Sequence, residues 1–163
     1  MDAESRVREH YSRDDLEGVV LTALRERGVD TEALTEDDLG GLDQLHSGGV
    51  AETEHLLDVL DLGPDDHVLD VGSGVGGPAR RAAGRGCRVT GIDLSPDFVA
   101  LARALTERVG LADRVTIDEG SAVALPYDDG TFTRAMINHA GMNIDDKASV
   151  FSEVQRVLAP GGV

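Results

Sequence analysis

The run VLDVGSGVGGPAR, Val68 to Arg80, sets Gly72, Gly74, Gly76 and Gly77 directly after a short apolar stretch, with Asp70 two residues ahead of the first glycine. Glycines so placed let a ligand approach the backbone. Two patterns overlap: Gly72, Gly74 and Gly77 fit G-x-G-x-x-G, whereas Gly72, Gly74 and Gly76 fit G-x-G-x-G, so spacing alone leaves the ligand open. Charge narrows it. A dinucleotide rests its pyrophosphate on such a loop and on the following helix N-terminus, where the Asp70 carboxylate would repel it. A phosphate-free nucleoside with a cationic end, such as S-adenosylmethionine, would be attracted instead. Asp93, 21 positions after Gly72, is suited to both ligands, because one carboxylate can accept from two ribose hydroxyls.

Histidines supply the other titratable chemistry. His139 is the candidate general base, since imidazole titrates near neutral pH; a cofactor contact or a packed strand end are its alternative roles. His46 reads as a hydrogen-bonding group at a helix end, and His55 and His67 as structural. Met136 and Met142 read as core filling, and Arg80 and Arg81 as a solvated helix face. The single cysteine, Cys87, excludes an internal disulfide and a cysteine-rich metal site, and its apolar neighbours mark it as a buried small hydrophobe. No metal site is expected.

Alternating elements must position these groups. Over residues 1–60 the chain reads as helices with polar joints: RDDLEGVVLTALRERG spaces Leu16, Val19, Val20 and Leu24 helically, and VAETEHLLDVLDLG resumes after the breaks at Gly40, Gly41, Gly48 and Gly49. From residue 61 to 163 strands and helices alternate. HVLDV (67–71), CRVTGID (87–93), RVTIDEG (114–120) and TFTRAMIN (131–138) read as strands. PARRAAGRG, SPDFVALARALTERVG with Ser95 as N-cap, and DDKASVFSEVQRVL read as helices. The fold class is α/β: a Rossmann-like parallel sheet with helices on both faces and an N-terminal helical cap. Gly161 and Gly162 should feed a fifth strand, so the sheet, of about four strands, reads as an incomplete domain, with truncation the favoured explanation.

At 163 residues the chain suits one domain, and its net charge of -16 argues against nucleic acid, an anionic membrane or a polyphosphate on a broad surface. A small-molecule partner is expected. The charged N-terminus has no signal-peptide apolar region, which makes a cytoplasmic location the default.

VLDVGSGVGG followed by VTGIDLSPDFV resembles the first two motifs of class I S-adenosylmethionine-dependent methyltransferases, and RVLAPGG resembles the turn before their fifth strand. LDQLHSGG and INHAGMNIDDKASVF are similar to the small-molecule (type 11-like) branch. The resemblance implies a methyl transferase for a small-molecule N, O or C nucleophile, with S-adenosyl-L-methionine as cofactor and S-adenosyl-L-homocysteine as product. It implies that Asp70 and the loop Gly72, Ser73, Gly74 and Gly76 hold the methionine and ribose portion. Asp93 with Leu94 would take the ribose, and Gly120, Ser121 and Ala122 the adenine. Gln44 and His46 would fold over the cofactor, with Asn138 and His139 beside it. Tyr11 would belong to a lid within residues 1–60. The alternatives are a truncated, non-catalytic nucleoside-binding domain that assembles into a homo-oligomer at its sheet edge, and, further off, an NAD-dependent oxidoreductase.

Overall fold

The computed structural model describes residues 15–163. Among the described residues three helices come first: α1 (Leu16–Glu26), the single turn α2 (Glu36–Leu39) and α3 (Gly49–Leu60). The first two have side-chain caps at their starts. Asp15 accepts from the Gly18 amide to cap α1, and Thr35 and Asp38 form a reciprocal capping box on α2.

The remainder alternates as β1 (His67–Val71), α4 (Gly77–Gly84), β2 (Arg88–Asp93), α5 (Pro96–Arg108), β3 (Val115–Glu119), β4 (Arg134–Met136) and α6 (Lys147–Val157), with a 3-10 turn at Ala140–Asn143 before α6. Ser95 caps α5 by accepting from the Phe98 amide. The strands form one parallel sheet in the order β3-β2-β1-β4. The chain moves outward from β1 to β3 and then returns to β1's other side, so β1 and β4 form the switch point at which open α/β sheets bind ligands.

β4 is shorter than TFTRAMIN suggests. Ahead of it Phe132 makes an isolated bridge to Leu158 at the end of α6, and Asn138 leaves the ladder to bond with side chains from the N-terminal segment. On the free flank of β4, the Val163 amide donates to the Thr133 carbonyl and its carbonyl accepts from the Ala135 amide.

Apolar packing falls into three clusters. Leu57, Val68, Ala79, Val89, Ala102 and Met136 fill one face of the sheet; Leu69, Val71, Ile92, Phe132 and Val157 fill the face under α6. The third joins Leu21, Leu24 and Leu39 of the N-terminal helices to Leu101 and Leu105 of α5. Met136 and Cys87 are buried as expected, whereas Met142 is exposed rather than core filling. His67 packs on Phe132 and bonds Thr90. Arg80 corrects the helix-face expectation outright: it is fully buried, ion-paired at 2.9 Å with Asp43. Arg81 is mostly covered and pairs with Glu36, Asp37 and Glu54.

Candidate active site

At the carboxyl ends of β1, β2 and β4 lies a cavity of about 570 Å³, within the range of small-molecule sites. Its floor is the loop between β1 and α4. Each glycine of that loop has its own reason. A Cβ on Gly72 would collide with the Ala140 methyl, so this glycine lets the turn after β4 close on the loop. Gly76 has no room for a Cβ because the Arg80 guanidinium lies 2.7 Å from where it would stand. Gly74 has nothing within 4 Å of that position and φ of 54°, so its backbone is bare toward the cavity.

Asp93 fixes this loop. One carboxylate oxygen accepts from the Gly74 amide at 2.8 Å and the other from the Ser95 amide at 2.9 Å, which ties loop to α5 and leaves each oxygen a further lone pair. Burial raises its pKa, and the amides of Ser95, Gly74 and Leu94 oppose that rise.

Eleven of the anticipated residues line the cavity: His46, Gly72, Ser73, Gly74, Asp93, Leu94, Gly120, Ser121, Ala122, Asn138 and His139. Gln44, Asp70 and Gly76 stand behind its wall. Asp70 sits mid-sheet, in register with Gly91 and Met136, so neighbouring strands enclose it. Neither of its carboxyl oxygens has a hydrogen-bond partner among the described residues, and burial, with Asp93 second, pushes its pKa up to about 7. Gln44 is buried in a polar network: its Oε1 accepts from Thr53 at 2.6 Å and stands 3.2 Å from His46 Nε2. Asn138 Nδ2 lies 3.1 Å from the same Nε2, while His46 Nδ1 faces the Ser47 carbonyl at 3.1 Å.

His139 is exposed to the cavity and stacks on His46, ring centroids 5.0 Å apart and planes 9° from parallel. Its φ of 59° is unusual for a non-glycine residue and turns the chain from β4 into the 3-10 turn. Tyr11 lies outside the described residues. Sequence reasoning missed Asp43, Leu45, Val75 and Phe98 on the wall. Apolar periodicity marks Val75 and Phe98 only as packing residues, and all four are shared with a second, apolar cavity of about 330 Å³ beneath α1. No cluster of three or more His, Cys, Asp or Glu among the described residues could hold a metal ion.

Residues 69–163 match the methyltransferase domain family, more than half of the chain. The chain belongs to this family. Methyltransferase GfsG of Streptomyces halstedii is 38% identical over 126 residues, which cover 77% of this chain and 45% of that protein. A geranyl diphosphate methyltransferase solved in complex with SAM superposes with a TM-score of 0.68 at 32% identity, over 78% of this chain and 51% of its own. The [4+2]-cyclase SpnF superposes at 0.71 with 28% identity, over 99% of this chain and 58% of its own. The chain thus spans about half the length of the relatives it matches. Methyltransferases of this family use S-adenosylmethionine, which displaces the dinucleotide alternative.

Proposed function

We propose that this chain binds S-adenosylmethionine in the cavity and transfers its methyl group to a small-molecule acceptor. One observation carries the reading: the bare Gly74 backbone is held by the Asp93 carboxylate and underlain by the buried, unpartnered Asp70 carboxyl, an acidic cradle that suits a cationic nucleoside and repels a pyrophosphate. The buried, unpaired oxygens of Asp70 and the hydroxyl of Ser73 are the fit expected under the methionine end of that cofactor.

S-adenosylmethionine, when bound, supplies an electrophilic methyl group with a neutral thioether as leaving group. The chain's own residues align and exclude. In this reading Asp93 takes the ribose hydroxyls, and Gly120, Ser121 and Ala122 form the adenine end of the cavity. Asn138, anchored to His46 and Thr53, fixes the acceptor side. His139 takes the proton of a hydroxyl or carbon acid, whereas an amine acceptor needs only to arrive neutral. The proposed acceptors follow the relatives' names, which include sterol and geranyl diphosphate methyltransferases. Residues 1–60 serve as cap and 61–163 as cofactor-binding core.

Calorimetry with S-adenosylmethionine, S-adenosylhomocysteine and NAD tests the cofactor. Binding of the first two and not the third is expected, and the reverse pattern overturns the reading. Because the fold also carries a [4+2]-cyclase, turnover is read separately, as S-adenosylhomocysteine released with sterol, isoprenoid and amine acceptors. A chain that binds the cofactor and releases none in the presence of any acceptor would instead be a nucleoside-binding domain.

A further inference from the structure

Arg80 is the largest fully buried side chain among the described residues, and nothing in the proposed reaction uses it. A cation near the start of a helix opposes the helix dipole, and burying one is costly unless it is paired and hydrogen-bonded. Its partners explain why it is there. Nη2 lies 2.9 Å from Asp43 Oδ2 and donates at 2.9 Å to the Val75 carbonyl in the glycine loop; Nη1 donates to the Ala102 carbonyl and Thr106 hydroxyl of α5. Helical side chains lean toward the N-terminus, so the guanidinium comes back over the turn at Gly76, whose missing Cβ makes room for it. Asp43 in turn accepts from Gln44 Nε2, and the Asp43 carbonyl and Gln44 amide press on Gly77 at a spacing that no Cβ would allow.

We propose that Arg80 is a positioning residue for the cofactor cavity. Its guanidinium fixes the shape of the glycine loop through Val75 and seats the Asp43–His46 segment against it. Both Val75 and Asp43, Leu45 and His46 are walls of the cavity, yet Arg80 itself does not line it. The link to the cofactor rests on the function proposed above; the link to the loop does not.

The deciding variant replaces the whole buried pair with apolar volume, Arg80→Met with Asp43→Leu, since such exchanges can keep stability. Amide hydrogen exchange by NMR in the ligand-free protein reads the loop: the Gly76 amide, bonded to the Ser73 carbonyl, and the Gly74 amide, bonded to Asp93, are the reporters. At a melting temperature near wild type, both amides are expected to exchange at least tenfold faster, and S-adenosylhomocysteine to bind at least tenfold more weakly. If exchange at both amides stays within twofold of wild type, the positioning role is wrong and Arg80 is structural. Should the double variant not fold, Arg80→Lys, which keeps the charge and loses the fork, is read by the same two amides and the same criterion. Failure of the wild-type chain to bind S-adenosylhomocysteine would overturn the cofactor reading and leave the exchange result standing.

Discussion

The imidazoles of His46 and His139 stack nearly parallel, 5.0 Å between centroids, and so join the segment before α3 to the turn after β4 on one wall of the cavity. His139 presents its ring to the cavity, while His46 is held by Asn138 and the Ser47 carbonyl. In the proposed reaction His139 is the group that meets the acceptor and His46 the group that supports it.

His139→Asn is the variant that separates these roles, because asparagine tolerates the left-handed backbone that His139 adopts. Turnover of a hydroxyl acceptor is expected to fall about 100-fold, the lower range for loss of a general base. S-adenosylhomocysteine affinity should change little. Steady-state kinetics beside calorimetry checks both, and a large loss of cofactor affinity would make His139 a binding residue instead.

Asp70 carries a pH signature. Its pKa is pushed up to about 7 from an ordinary 3.8. Between those values the unfolded chain has lost the proton that the folded chain keeps, so stability falls as pH rises through this window and stays at the lower level above it. Asp70→Asn removes that slope. Relative to wild type, the variant should gain up to about 4 kcal/mol between pH 4 and pH 8, at about 1.4 kcal/mol per pKa unit. Denaturant melts at the two pH values measure it, and a constant difference contradicts it.

Asp93→Ala is expected to weaken S-adenosylhomocysteine binding by about 10- to 100-fold, the cost of about 1.5–3 kcal/mol for hydrogen bonds to a charged group. The Gly74 amide loses its partner at the same time. Titration calorimetry gives the affinity, and an unchanged value would remove Asp93 from the ribose site.

Two glycines of the loop should respond unequally. Gly74→Ala meets open space, so its stability cost is about 1 kcal/mol, from the left-handed backbone alone, while its methyl projects toward the cavity and cofactor affinity falls. Gly72→Ala drives a methyl into Ala140, and overpacking adds about 1–3 kcal/mol to the same backbone cost. Thermal melts rank the two, and equal destabilisation would contradict the distinction.

Much of the scaffold is legible in the sequence because its signals are local. HVLDV is β1 without adjustment, and Ser95 with Pro96 starts α5 where capping chemistry says it should. The glycine loop is also legible, but the reason for each glycine is not: Gly76 answers to a side chain four residues on, and Gly72 to a turn 68 positions away. Arg80 is misread for a related cause. Its neighbour Arg81 and the amphipathic window suggest solvent, while the partner that allows its burial, Asp43, is 37 positions upstream. Asp70 is recognisable as a carboxylate beside the loop, yet only the pairing of β1 with strands on both sides shows that it is walled off.

α5 is covered on two flanks: Val99 and Ala102 meet the sheet, while Leu101 and Leu105 meet α1 and α2. Residues 15–60 are therefore no detachable module. Excising them would strip Leu101, Leu105 and Val75 of their apolar cover and remove the only carboxylate within ion-pair distance of Arg80 among the described residues. A recombinant fragment started at β1 is expected to be insoluble, because it would expose those apolar side chains to water.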